Sequence, residues 1–383
     1  MIRYMKNILK IIICFLAILI LTSMVKAHEN YNFNDIYKEQ YKRSQAETLT
    51  KKIPKESAKI LNDIGVGSPN WENFSNISFL KIFKKISDIA KKNFISPFAA
   101  FTSIIFIIIT YAVVCNLKNS FGSKEITKIM GLVSTICTSA VIINPIIKCV
   151  SDSSYAIQNA AQFTMYSVPI ISAMIVASGN TLSATSYQAM VMVAGQTISY
   201  IAKYFLVPFV NMLFGMSIIS SISPNMNLEN FCKKICSFLK TLLKFISYIF
   251  TSILALQNLV ARSADNLGIS TLKFAIDNCV PIVGSALSDS FTTVHSCIKL
   301  LKSGVGAFGI MACGAIFLSP IAECFAWIIL LNISEGIVSI LSINKIGSIF
   351  SSAKNIISIN LAIILCALSV LTVSCFILAM IGK

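Results

Sequence analysis

Three carboxylates stand inside a sequence that is otherwise mostly apolar. Asp277 and Asp289 flank a Pro and a Gly in the stretch FAIDNCVPIVGSALSDSF, and Glu323 follows Pro320 in a long apolar run. A charged group at membrane depth costs on the order of 3 kcal/mol even on the lenient insertion scale, so it is rare and commonly marks an ion path, a proton relay or a protein contact. These acids are therefore the first candidates for chemistry.

Asp289 belongs to an amphipathic pattern over residues 285–302 at about 100° per residue. One half of the helix circumference is apolar, and the polar half also carries Lys299 and Lys302. Such a flank cannot face lipid alone, so it must meet water or another protein. The candidate hydrated or partner-facing surface comprises this flank and two further carboxylates: Asp277, Ser285, Ser288, Asp289, Thr292, Ser296, Lys299 and Glu323.

A shorter amphipathic piece, 269–280, precedes a Pro-Ile-Val-Gly break that leads into this helix. Two short helices joined at such an elbow predict a re-entrant or amphipathic hairpin over 265–302, which is tolerated at membrane depth only where protein or water surrounds it. Three interpretations stay open. The hairpin is an interfacial helix beneath its own bundle, a hydrated path or subunit seam, or a proton-coupling element that uses Asp277 or Asp289.

The composition is that of a membrane protein. The 383 residues are 55% hydrophobic and 13% charged with a mean hydropathy of +0.76, whereas soluble domains are about a quarter charged. The excess of 32 Lys and Arg over 16 Asp and Glu is spread over loops and the borders of apolar blocks. Membrane orientation by the positive-inside rule explains this distribution, and nucleic-acid binding does not.

The sequence offers little catalytic or metal-binding machinery. It has two His, at positions 28 and 295, and no G-x4-G-K-[ST], H-E-x-x-H or G-x-S-x-G motif. Its 12 Cys lie mostly in apolar runs, and the C-x3-C pair Cys232 and Cys236 has no second pair nearby. We therefore expect no enzyme activity, no catalytic residue, no cofactor and no metal site.

The beginning of the chain predicts export. Residues 1–27 combine a basic start, an apolar stretch and small residues at positions 25 and 27, which is typical of a signal peptide cleaved after Ala27; an uncleaved anchor is the alternative. Residues 28–93 are a polar stretch with short helical patterns on the exported side. They contain few large apolar residues, so we expect them to pack on the membrane part or on a partner.

Residues 94–383 predict an all-α, polytopic membrane domain, since about 20 apolar residues cross roughly 30 Å of hydrocarbon. Suitable blocks are 96–115, 129–147, 163–178, 245–261 and 358–380, and two longer blocks, 189–222 and 304–331, contain a Pro.

The basic stretch 232–244 should lie inside, which requires 189–222 to cross twice or to dip into the membrane and return. We therefore predict a hairpin there, bent near Pro208, and seven or eight crossings in all, with a single crossing by 189–222 as the alternative.

A set of residues late in the chain resembles the stage III sporulation protein AE family of endospore-forming bacteria. The resemblance covers essentially the whole chain, including the signal-like start and the multi-span body, and is most specific over 262–310. The residues that carry it are Ser263-Ala264-Asp265-Asn266-Leu267-Gly268, Lys273-Phe274, Pro281-Ile282-Val283-Gly284, Asp289, Leu300-Leu301-Lys302, Val305-Gly306 and Gly309.

The resemblance implies a multi-pass protein of the mother-cell membrane that surrounds the forespore. Its implied partners are the other stage III A operon proteins, including a secretion-type ATPase and ring-forming proteins, and indirectly stage II sporulation protein Q. Together they would form a channel or secretion-like complex required for sporulation and late forespore gene expression. No catalytic residues come with the resemblance.

Two other classes of function stay open. One is an ion-coupled secondary transporter or permease acting alone, with Asp277, Asp289 and Glu323 as coupling groups. The other is a non-transporting scaffold for the ring proteins, for which residues 28–93 would matter most.

Overall fold

The fold is all-α in the described part of the chain. A computed structural model describes residues 33–70, 72–75, 77–121, 124–222, 230–232, 234–253, 256, 284–341 and 344–380, and these contain no strand. The helices are α1 (Phe33–Arg43), α2 (Lys55–Asp63), α3 (Glu72–Ser75), α4 (Phe79–Phe121), α5 (Lys124–Ala177), α6 (Thr181–Ile201), α7 (Val207–Ile222), α8 (Asn230–Ile253), α9 (Gly284–Ile340) and α10 (Asn344–Met380). A 3-10 helix, Ala46–Lys52, separates α1 from α2.

The predicted polytopic membrane fold is confirmed. Within the described ranges, six helices are long and apolar enough to cross a membrane: Phe79–Val114, Ile129–Ala177, Thr181–Met216, Asn230–Ile253, Val294–Ile340 and Ile346–Ile377. The sequence predicted seven or eight crossings, and the difference arises at two places, in α5 and between α6 and α7. The predicted signal peptide, residues 1–27, lies outside the described residues.

α5 joins two apolar blocks that the sequence predicted as separate crossings. Residues 129–147, the polar stretch 148–159 and residues 163–178 belong, up to Ala177, to one helix of 54 residues. The polar stretch stays helical because its hydroxyls bond within the bundle; Ser153 Oγ, for instance, donates to Cys149 O at 2.7 Å. A Pro removes one helical hydrogen bond and bends a helix without having to end it, so Pro145 and Pro169 are accommodated inside α5.

The hairpin predicted over 189–222 is wrong. α6 continues into α7 through a single π-helical turn, Ala202–Leu206, and the chain does not reverse. Pro208 follows this turn directly, and a Pro that cannot donate to the preceding turn favours such a local widening. A hairpin is needed only if 129–147 and 163–178 cross separately. With one crossing by α5 and one by α6–α7, the basic stretch 232–244 keeps its expected side.

α9 and α10 are antiparallel neighbours. Glu335 and Lys354 form an ion pair near the turn that connects them. Far from that turn, a Cβ on Gly309 would lie 3.2 Å from Cys375 Sγ, so the absence of a side chain at Gly309 lets the two helices approach closely.

α5 packs on both of these helices and runs antiparallel to α9. Its Cys149 Sγ lies 3.7 Å from Cys324 Sγ of α9, and the ring of Phe163 lies 6.4 Å from that of Phe308. α6 folds back along α5 after Gly179, whose φ of 84° allows a tight turn. The α5–α6 pair is therefore a helical hairpin packed on the α9–α10 hairpin.

The polar segment before α4 packs on the helices of the membrane domain. α1 and α2 contact α9, and the 3-10 helix contacts α5, where Lys52 Nζ lies 4.7 Å from the centre of the Tyr166 ring. Leu49 and Leu61 are each 1% exposed and belong to the same apolar cluster as the long helices. Because the segment shares its core with α5 and α9, it has no separate core of its own.

An ion pair between Asp63 of α2 and Lys85 of α4 fastens the end of this segment. The hydrogen bond from the Lys85 ammonium, with its charge, holds the pKa of Asp63 below its usual value.

We predict that α2 loses protection against amide exchange when Asp63 becomes protonated. A carboxyl group whose pKa is lowered on folding contributes its stabilisation above its unfolded pKa, and this is lost as the pH falls through the folded value. Protection of 55–63, corrected for intrinsic exchange rates, should therefore be level from pH 7 to about 4 and fall below that. Asp63→Asn should weaken it modestly at neutral pH, because exposed pairs contribute little. Glu56→Gln, which neutralises an exposed acid of the same helix, is the control. An equal loss of protection in both variants would contradict the role of the Asp63–Lys85 ion pair.

We also predict that mild oxidation joins α5 to α9. A variant that keeps only Cys149 and Cys324 should yield one intramolecular cross-linked peptide by mass spectrometry, because the two thiols are in contact. The matched control keeps Cys149 and Cys375, which lie at different heights of the bundle, and should yield none. Cross-linking only in the control pair would refute the antiparallel packing of α5 on α9.

Candidate functional site: a charged layer across the bundle

The predicted surface falls mostly on the first turns of α9. Asp277 and the first limb of the predicted hairpin 265–302 lie outside the described residues. Ser285, Ser288, Asp289 and Thr292 lie in the helical part that begins at Gly284. Further along the same helix, Ser296 is exposed and Lys299 is half-buried.

The second limb of that hairpin is the start of the 57-residue helix α9 and not a separate short helix. Its apolar flank is buried at Cys297 and Leu301, with 0% and 1% exposure, whereas Val294 is 38% exposed. Lys302, on the polar flank, is also only 1% exposed, so the flank turns into the bundle at that point. Ser296 and Glu323 are about 40 Å apart along the helix, hence Glu323 does not join the other candidates.

Glu323 instead belongs to a set of polar residues at one height of the bundle. Contacts between neighbouring residues fix this height: Cys149 against Cys324, Ser153 against Asn360, and Ser154 Oγ donating to Ala202 O at 2.9 Å. They bring together residues from α5, the π-helical turn, α9 and α10. We call this set the polar layer: Lys148, Asp152, Lys203, Glu323 and Asn360.

Asn360 occupies the interior of the polar layer, where its side chain is fully buried and makes hydrogen bonds to two neighbouring helices. Its Nδ2 donates to Ser153 Oγ at 2.8 Å and to Cys324 Sγ at 3.3 Å, so one side chain of α10 contacts both α5 and α9. Buried polar groups that are bonded to one another fix the register of the helices that carry them.

The charges of the polar layer lie on its outside. Lys148, Asp152 and Lys203 are exposed and Glu323 is half-buried, which gives two cationic and two anionic groups around the bundle. No group of three His, Cys, Asp or Glu that could hold a metal ion occurs among the described residues. The layer can therefore meet water, lipid head groups or another protein, and it supplies no enclosed set of metal ligands.

Four members of the layer are not identified from the sequence. Lys148 and Asp152 lie in the gap between the predicted blocks 129–147 and 163–178, and Lys203 lies inside the block 189–222. Asn360 is one amide in the apolar block 358–380. The apolar blocks that carry these residues each have a polar residue near the middle. The sequence of one block, however, does not show that polar residues from several blocks lie at one height in the bundle.

The chain is similar to known sporulation proteins. The family model of stage III sporulation protein AE matches residues 70–382. This chain belongs to the stage III sporulation protein AE family. A relative of that name from Bacillus subtilis (strain 168) is 23% identical over 203 residues, which is 52% of this chain and 51% of the relative. The alignment thus spans about half the length of this relative. No solved structure matches.

Membership of the stage III sporulation protein AE family confirms the resemblance found in the sequence and supports a role in sporulation. The whole polar layer lies inside the matched range, whereas α1 and α2 precede it.

We predict that Asn360→Ala loosens the contact among α5, α9 and α10. Hydrogen bonds inside membrane bundles are worth about 0.6 kcal/mol on average, so two bonds and a small cavity should together lower the free energy of unfolding in detergent by about 1–2 kcal/mol. The matched control is Asn332→Ala, since Asn332 Nδ2 donates to Ile328 O within its own helix at 2.7 Å. If both variants lose the same stability, Asn360 has no special role in joining the helices.

Proposed function

We propose that this protein is a membrane subunit of a channel or secretion-like complex between mother cell and forespore, required for sporulation and late forespore gene expression. It would lie in the mother-cell membrane that surrounds the forespore. Its partners would be the other stage III A proteins, among them a secretion-type ATPase and ring-forming proteins, with stage II sporulation protein Q reached indirectly. Family membership supports the sporulation role, and the place of the protein in such a complex is what we propose beyond it.

One observation supports a subunit over an independent transporter. The centre of the polar layer is filled by Asn360, which donates to Ser153 and to Cys324, while Lys148 and Asp152 are exposed. Transporters that work alone enclose their coupling groups between halves of the fold, at the depth of the membrane centre. Charges on the outside of a membrane bundle instead favour contact with water, head groups or neighbouring subunits.

The rival transporter function would rely on Asp277, Asp289 and Glu323. A scaffold without transport is favoured by a different observation, the burial of residues such as Leu49 and Leu61 of the exported segment against the long helices. Such a segment could present a rigid surface to ring-forming proteins. A scaffold would still be a subunit of the complex, whereas a transporter would act alone.

The test compares heat-resistant spore titres of neutralised variants in a strain that lacks the chromosomal copy. We expect Asp277→Asn, Asp289→Asn and Glu323→Gln to sporulate within about tenfold of the unchanged protein, because none of them is a coupling group. Glu47→Gln, at an exposed acid of the 3-10 helix, is the matched control. The tagged protein should co-purify with the other stage III A proteins from sporulating cells.

Two results would overturn the proposal. One is loss of sporulation by more than a hundredfold in each of the three variants while Glu47→Gln is normal. The other is solute or ion movement by the purified chain alone in lipid vesicles, abolished by Asp289→Asn.

A further inference from the structure

The long helices exceed the thickness of a bilayer. The apolar stretches of α5 and α9 comprise 49 and 47 residues, so each is about 70 Å long. A hydrocarbon core is about 30 Å thick, and a helix tilted by 40° would still need only about 40 Å to cross it. Nearly half of each stretch must therefore lie outside the hydrocarbon.

The polar layer lies near the middle of four long apolar stretches. Asp152 lies near the centre of Ile129–Ala177, Lys203 near that of Thr181–Met216, Glu323 near that of Val294–Ile340 and Asn360 near that of Ile346–Ile377. We call the part toward the α9–α10 turn the basal half and the other part the distal half. The basal half comprises 94–121, 124–147, 207–222, 324–340 and 344–359, and the distal half 153–201, 284–319 and 361–380.

The basal half has the dimensions of a membrane crossing. From Glu323 to the end of α9 is about 26 Å, and the uncharged stretch 94–115 of α4 is about 33 Å long. Between the layer and the first turn of α10, which carries Lys345, the charges of α9 and α10 are Glu335 and Lys354, and these pair with each other. A slab of hydrocarbon that ends before Lys118 of α4 and Lys345 of α10 can enclose the rest of this half without exposing an unpaired charge of α4, α9 or α10.

The distal half is accompanied by charged segments that need water. Lys52 lies over Tyr166 of α5, and α1 and α2 contact α9. α4 reaches this height as well, because Ser319 Oγ donates to Asn93 Oδ1 at 3.1 Å and the lysine-rich stretch 79–92 precedes Asn93. Residues that carry this many charges cannot lie in hydrocarbon beside the distal half.

The exposed side chains also differ between the halves. Large exposed side chains of the basal half are aliphatic or Phe, such as Phe106 at 73% and Ile333 at 46% exposure. The distal half exposes aliphatic side chains too, among them Val193 at 66% and Leu182 at 50%, and differs in exposing Tyr, whose ring suits an interface. Its exposed Tyr are Tyr155, Tyr166 and Tyr200, and Thr185 and Gln196 are exposed as well.

We propose that the polar layer is the membrane boundary. The basal half spans the bilayer, and the distal half projects about 35 Å from it on the same side as residues 33–75, which is the exported side if the predicted signal peptide operates. Lys148 and Lys203 then reach the head groups. Ser296, on the polar flank of α9, meets water beyond this boundary, and α5 and α6–α7 each cross once.

Impermeant thiol labelling in sealed right-side-out vesicles tests this boundary. Single Cys variants in a background without native Cys should react at Thr185→Cys and Gln196→Cys in the distal half. Phe106→Cys and Ile333→Cys, exposed to a similar degree in the basal half, should react at least tenfold more slowly unless detergent is added. Unreactive distal positions that label after solubilisation would place the distal half in hydrocarbon and overturn the proposal.

Reporter fusions in the otherwise unchanged chain provide a second measurement that does not depend on the Cys-free background. Fusions at residues 45 and 184 should report the same side of the membrane, and a fusion at 120 the opposite side. If 184 reports the same side as 120, the blocks 129–147 and 163–178 cross separately and the boundary is refuted.

Discussion

A hydrocarbon layer about 30 Å thick cannot hold apolar helical stretches of about 70 Å, and the arrangement of this protein depends on that mismatch. α5, α9, α10 and the turn between α6 and α7 each carry a polar residue near the middle of a long apolar stretch, and contacts such as Cys149 with Cys324 bring these residues to one height. Since charges at membrane depth are costly, the height at which they collect is where the bilayer must end. The position of the docked segment and the difference in exposed side chains agree with the same boundary.

Much of the fold follows from the sequence. The apolar blocks predicted the membrane domain and its all-α class, and the flank of 285–302 predicted burial of Cys297 and Leu301. The connections between the apolar blocks were predicted wrongly. Polar residues 148–159 are typical of a loop when taken alone, but Ser153 and Ser154 bond within the bundle, so the helix continues. Similarly, Pro208 suggested a bend, whereas a π-helical turn absorbs it.

The candidate site was predicted less well than the fold. Glu323 was identified, but its neighbours were not, because Asp152 and Asn360 come from blocks far away in the chain and only packing brings them to Cys324. Lys302 shows the opposite error: helical periodicity placed it on the wet flank, and the helices around it bury it. Periodicity assigns a side to a residue, but it does not reveal what packs against that side.

For a member of the stage III sporulation protein AE family, a projecting distal half changes where partners are expected to bind. The α5–α6 hairpin and the segment docked on α9 would both be reachable from the exported side, whereas the basal half would contact lipid and other membrane subunits. The acids of α9 then need no role in transport. Asp289 belongs to the distal half of the helix, and Glu323 lies at the boundary.

Fluorescence quenching of single Trp residues tests the boundary most directly. With Trp71 and Trp327 replaced by Phe, a Trp at Phe106 should be quenched by lipids brominated on the acyl chain and not by aqueous iodide, because position 106 lies in the basal half. A Trp at Tyr166 should show the reverse. Strong quenching of the Tyr166→Trp variant by brominated acyl chains would contradict the account.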